Sequence, residues 1–223
     1  MKKSISIIAT LLIATLAFAS ISFATSITVA ELGVNNGVGV NAYFGGAINA
    51  NVDTTAGYIQ ISVNGSNAIN GFCVDPAWAS SSPQAYDLRA IDPTSNYAKA
   101  AYLFSQSNTG NAAAVQIAIW ETVLGKDFSW NNPTTTLLSQ VNTLTASLVN
   151  MPSTFNLSSY SLAVSPGNVP SGYGLGYQDY ILNVPSPGAP VPEPSTLILC
   201  GAGLAGIIIL KRRSVAKASL QLA

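Results

Sequence analysis

Histidine is missing from all 223 residues of the chain. Its absence excludes Ser-His-Asp and Cys-His nucleophile systems and the imidazole-based zinc sites. Charge is scarce as well: nine basic and nine acidic side chains make up 8% of the sequence. Their even balance hides an asymmetry. Lys2, Lys3, Lys211, Arg212, Arg213 and Lys217 all lie in the two ends, and between Thr25 and Pro190 three basic residues face eight acidic ones, a net of −5. A body without a basic patch excludes nucleic acid as an electrostatic partner. Its surface must be made mostly of Ser, Thr, Asn and Gly, which suits a setting of neutral polymers. Cysteine is nearly absent too. Cys200 lies in a C-terminal apolar run, so Cys73 has no evident partner and is either bridged to another molecule, left as a thiol or chemically capped. No metal and no cofactor are expected.

The two ends read as processing segments. Met1–Lys2–Lys3 followed by an apolar run to about Ile21 has the form of a secretory signal peptide over residues 1–24, with small residues for cleavage after Ala24 and again around Ala17–Ala19. At the other end, residues 186–195 are a Pro- and Gly-containing linker that carries Pro192, Glu193 and Pro194. An apolar stretch at 196–210 and a basic tail at 211–223 follow. This three-part order closely resembles the PEP-CTERM sorting signal. The resemblance implies cleavage by an exosortase-type membrane enzyme in a bacterium that makes exopolysaccharide. As a helix, the apolar stretch would span about 22 Å at 1.5 Å per residue, short of the roughly 30 Å hydrocarbon core. A marginal transmembrane segment suits an anchor that is removed, and its cationic end would stay in the cytoplasm. The expected course is export, anchoring in the inner membrane, then release to the cell surface or extracellular matrix.

Residues 25–185 form the expected extracellular domain, of α+β class. Alternation of apolar and polar residues predicts strands around Ile27–Val29, Val38–Phe44 and Tyr58–Val63, with turns at Asn35–Gly37, Phe44–Gly46 and Asn64–Asn67. Ala68–Asp75 is a further strand. About three helices are then inserted. One begins at Asp92–Pro93, one runs from Ala112 to Glu121 between Asn111 and Gly125, and one begins at Asn132–Pro133 with Leu137, Val141, Leu144 and Leu148 on one face. Two more strands are expected at Tyr160–Val164 and Tyr177–Val184, on either side of a Gly-rich stretch. Strands, helices and strands in that order predict a mostly antiparallel sheet.

The chemistry is concentrated in two short motifs. Gln116 sits in the middle of a helix that is apolar on nearly every side, where an unpaired carboxamide would cost about 1–3 kcal/mol. It is either a core side chain bonded to nearby backbone or a reactant. The other motif is Phe72–Cys73–Val74. An aromatic–Cys–aliphatic strand followed by Val115, Gln116, Ala118, Ile119 and Trp120 on a helix resembles the bacterial surface thioester domain. That resemblance implies that Cys73 and the Gln116 carboxamide condense, with loss of ammonia, into an internal thioester. Phe72, Val74, Val115, Ala118, Ile119 and Trp120 would form its pocket. A nucleophile on exopolysaccharide or a neighbouring surface would then be captured covalently and once, so that the domain is an adhesin and not an enzyme. Trp120, four residues from Gln116 and on the same helix face, would exclude water, and Asp75 or Glu121 would move protons. The alternative is a non-covalent polysaccharide-binding or matrix protein, with Trp78, Trp130, Tyr173 and Tyr177 stacking on sugars. A glycosidase built on Asp75 and Glu121 is a weaker third reading.

Overall fold

The computed structural model describes residues 25–46, 48–77, 80–131, 133–167 and 177–185. The expected signal peptide, the linker, the 196–210 segment, the basic tail, Trp78, Asn132, Tyr173 and Cys200 lie outside the described residues. Seven strands and three α-helices build the domain. The strands are β1 (Thr25–Phe44), β2 (Ala50–Val63), β3 (Ile69–Cys73), β4 (Gln84–Arg89), β5 (Phe128–Asn131), β6 (Ser161–Val164) and β7 (Tyr180–Leu182). The helices are α1 (Asn96–Ser105), α2 (Ala112–Leu124) and α3 (Thr135–Ser147). Every strand pairing is antiparallel, and the fold is α+β with its helices between β4 and β6, interrupted by β5.

The sheet is organised by β1. One edge of β1 pairs with β2 over most of its length; the other pairs with β4 at Thr25–Val29 and with β5 at Asn41–Phe44. The ladders then run β2, β3, β7, β6, β4 and return to β1, so the sheet closes on itself. Closure leaves free edges only at β5 and along the parts of β1 and β2 that lie beyond their ladders with β4, β5 and β3.

The expected turn at Asn35–Gly37 is instead a bulge inside β1. The register steps from Asn35 opposite Tyr58 to Val38 opposite Ala56, so Asn36 and Gly37 face Gly57 alone. Asn36 takes up the distortion at φ 52°, a left-handed conformation that Asn tolerates. The strand therefore continues where local turn chemistry would have ended it. At Asn64–Gly65 the same chemistry does make a turn: φ is 52° and 71°, and the Ser66 N–H donates to the Val63 carbonyl at 3.0 Å.

The helices start later than the sequence signals suggest. Asp92 closes a turn, its Oδ1 accepting from the Thr94 N–H at 2.8 Å, and α1 begins four residues on, after Ser95. Thr134, not a residue before Pro133, caps α3 by accepting from the Leu137 N–H at 3.2 Å. In both places proline precedes the cap instead of following it. The expected bounds of α2 hold, with Gly125 ending it at φ 58°. The Asn111 side chain, however, turns back to the preceding loop, where it bonds Asn108 N and Gln106 O.

All nine residues from Ala112 to Trp120 are buried. The helix reaches this state because it packs on β2, α1 and α3 at once. Its alanines allow close approach on every side, so α2 becomes the axis of the core. Among the described residues no helix is long and apolar enough to cross a membrane.

Candidate functional site

Strand β3 ends at Cys73, two residues beyond Gly71, where its ladder with β2 stops at the pair Ile59–Gly71. The backbone groups of Cys73 on that side are taken up by Gln116. The Cys73 N–H donates to Gln116 Oε1 at 3.1 Å, and Gln116 Nε2 donates to the Cys73 carbonyl at 2.8 Å. The carboxamide thus takes the next place in the ladder. Gln116 has no exposed surface and Cys73 is 2% exposed. Two residues 43 positions apart in sequence meet through a doubly bonded, dry contact.

Strand alternation sends Phe72 and Val74 to the face opposite Cys73. Phe72 stacks at 5.0 Å on Tyr58 and edge-on at 4.9 Å against Phe104. Val74, Val115, Ala118 and Ile119 are buried in the same core. Of the six side chains named from the motifs, Trp120 lines the cavity that reaches Cys73; the other five pack behind it. This cavity, about 640 Å³, is walled by side chains of β1 and β2, among them Glu31, Val34, Phe44, Val52 and Thr54. Sequence reasoning missed those residues. Their alternating exposure marks strands, but nothing in that pattern says that β1 and β2 overhang a cysteine on β3.

Carboxyl groups crowd the same end of the domain. Asp75 Oδ1 accepts from the N–H groups of Ala77 and Asp179, both at 3.2 Å, and Asp179 Oδ1 accepts from Ser165 N at 2.8 Å. Burial, then the neighbouring Asp179 charge, pushes Asp75 up to about 7. Burial also raises Glu31, against the bond it accepts from the Tyr180 hydroxyl at 3.0 Å. Cys73 is raised well above the ordinary thiol range, first by burial and then by the Asp75 carboxylate. Both effects favour the neutral thiol over the thiolate. The indole N–H of Trp120 works the other way on the sulfur.

Glu121 is not part of this site. It accepts from Trp130 Nε1 at 3.0 Å and lines a shallow cleft with Lys99 and Thr122. Asp75 and Glu121 are therefore not brought together as a carboxyl pair. Trp130 is partly buried against the core, whereas Tyr177 is 37% exposed. Among the described residues no group of three or more His, Cys, Asp or Glu is arranged to hold a metal.

Outside this domain, residues 190–213 match the model of the PEP-CTERM protein-sorting motif. The match indicates an exported protein that is sorted at the membrane by an exosortase-type enzyme. No curated protein and no solved structure matches the chain.

Proposed function

We propose that Cys73 and Gln116 condense into an internal thioester, and that the exported domain uses it once to attach itself covalently to exopolysaccharide or to a neighbouring surface. The observation that carries this reading is the pair of hydrogen bonds laying the Gln116 carboxamide along the Cys73 backbone. In a strand the N–H and C=O groups point sideways and the side chain stands perpendicular to them. The carboxamide therefore lies beside the backbone while the cysteine side chain rises out of that plane. A nucleophile adds to an amide carbon from such a face, and holding the two groups together supplies the proximity the reaction requires. The Cys73 N–H already donates to Oε1, the oxygen on which negative charge gathers as sulfur adds.

The proposed step is balanced within the chain. The sulfur bonds to Cδ of Gln116, the Cδ–Nε2 bond breaks, and the thiol proton leaves with the nitrogen as ammonia. Since the thiol is neutral, a base must take that proton first. Asp75, with its carboxyl near 7 and two residues along, is suited to receive and return it; Glu31 in the cavity wall is the second candidate. An amine or hydroxyl entering the cavity then attacks the thioester carbonyl, forms an amide or ester on Gln116 and frees the Cys73 thiol. The residue is consumed, so the domain is not an enzyme. Trp120 and the aromatic rings around it keep water from the bond.

In this reading the 196–210 segment holds the protein in the inner membrane until the sorting enzyme acts near Pro192–Pro194. Intact-mass analysis of the secreted domain, prepared without amines, tests the proposal. We expect a deficit of one ammonia, a crosslinked Cys73–Gln116 peptide and no titratable thiol while folded. Full sequence mass with a free thiol would leave the non-covalent matrix protein as the better reading.

A further inference from the structure

Trp120 Nε1 has no hydrogen-bond partner, and it is the one buried side-chain polar atom in that state among the described residues. Buried indole N–H groups normally find an acceptor, as Trp130 does in Glu121. The ring cannot easily turn to seek one. Phe44 meets it edge-on with centroids 5.4 Å apart, and Phe128 packs on it at 5.6 Å. Trp120 lines the same cavity as Cys73 and stands one helical turn from Gln116, whose carboxamide is bonded to Cys73.

We infer that the indole N–H of Trp120 is the donor that stabilises the Cys73 sulfur while it carries negative charge, as the thioester forms and again as it opens. The inference rests on the thioester reading and assigns Trp120 a chemical part beyond that of shielding the bond. A neutral thiol is a weak acceptor and a thiolate a strong one. The N–H acts on the sulfur so as to lower its pKa, against burial and Asp75, yet completes no hydrogen bond with the neutral thiol. A donor left unpaired in the resting state and engaged in the charged one favours the transition state over the ground state.

The other titratable groups around the sulfur oppose its ionisation. Asp75 acts from beyond the end of β3 and Glu31 from β1. Tyr180, opposite Cys73 on β7, donates its hydroxyl to Glu31, and Asp179 lies beside Asp75. The described residues that act on the sulfur include no cation. When an amine opens the thioester, the new C–N bond forms as the C–S bond breaks. Sulfur departs with the bonding pair and then takes the proton released by the amine. Trp120 contributes a hydrogen bond and exchanges no proton.

The test separates the donor from the ring. Trp120→Phe removes the N–H with part of the ring, and benzothienylalanine at position 120 keeps the bicyclic shape while replacing N–H by sulfur. The Cys73 thiol is titrated by its rate of alkylation with iodoacetamide against pH, in a Gln116→Ala background that cannot form a thioester. The same titration is run on the otherwise unsubstituted domain after opening with methylamine. We expect the isostere to move the profile upward by about one pH unit, a tenfold loss of thiolate at a given pH. Methylamine opening of the thioester-bearing domain should slow by about tenfold. An unchanged alkylation profile in the isosteric protein would overturn the inference, even with the thioester present. A shifted profile together with full sequence mass in the wild-type domain would support the donor role and sink the thioester instead.

Discussion

Gln116 spends both ends of its carboxamide on the backbone of a single residue, Cys73. Cys73→Ala keeps those bonds and abolishes any crosslink; Gln116→Ala keeps the thiol and leaves a buried N–H and a buried C=O unpaired. Relative to Cys73→Ala, the Gln116→Ala domain should therefore be less stable by about 2–6 kcal/mol, one to three for each orphaned group. Urea unfolding checks this, and equal midpoints would show that the two bonds do not hold in solution. Asp75 gives a prediction with a definite sign. Its carboxyl is raised on folding from 3.8 to about 7, so the native state favours the protonated form. That stabilisation is complete below pH 3.8 and is lost as pH rises through 7. Asp75→Asn can still accept the two backbone N–H groups and no longer ionises. It should match wild type near pH 4 and exceed it at pH 8 by roughly 1–3 kcal/mol. A variant less stable than wild type at pH 8 would contradict the assignment.

At the scale of elements, α2 and the β1–β2 ribbon carry the site. Trp120 stands at the end of the buried run of α2 and fills the space between Phe44 and Phe128. Trp120→Ala should cost about 3–5 kcal/mol, the range for a core aromatic, read as a lowered denaturation midpoint. The ribbon depends on close backbone approach at its bulge. A Cβ on Gly57 would lie 2.7 Å from Gly37 Cα and 3.0 Å from the Asn35 carbonyl oxygen, contacts that only a backbone shift can relieve. A Cβ on Gly39, two residues beyond Gly37, would meet nothing within 4 Å. Gly57→Ala should thus destabilise by about 1–3 kcal/mol, as overpacking does. Gly39→Ala should be neutral or mildly stabilising through reduced unfolded-state freedom. Thermal melts of the pair decide it: equal losses at both positions would show that the bulge does not bring the backbones so close.

For the whole molecule, the sorting motif at 190–213 leads to a prediction about processing. In a host with the exosortase-type enzyme, mature protein should lack both residues 1–24 and the Lys211-containing tail, as read by terminal peptide mapping. Without that enzyme, the tail should be retained and the protein should fractionate with the inner membrane. Full-length chain recovered from the surface of a sorting-competent cell would contradict this.

Several features follow from residue order alone. The sorting motif is legible because it is read as a linear segment, a proline-flanked glutamate, an apolar run and a basic end. The α+β class, α2 with its buried face all round, and the Asn64–Gly65 turn are also local: period, propensity and the φ values that Asn and Gly allow decide them. Strands β4 and β5 were not legible, being short segments held in place by pairing with opposite ends of β1. Nor was the bulge at Asn36–Gly37, where turn residues sit inside a strand because pairing with β2 resumes beyond them. At the site, the motifs singled out Cys73 and Gln116, and the fold set a carboxamide in the vacant place of a β-ladder. The cavity walls on β1 and β2, the Asp75–Asp179 contact and the unpartnered indole of Trp120 required the closed sheet. Each joins residues far apart in the chain, and only the packing that buries them decides which groups become neighbours.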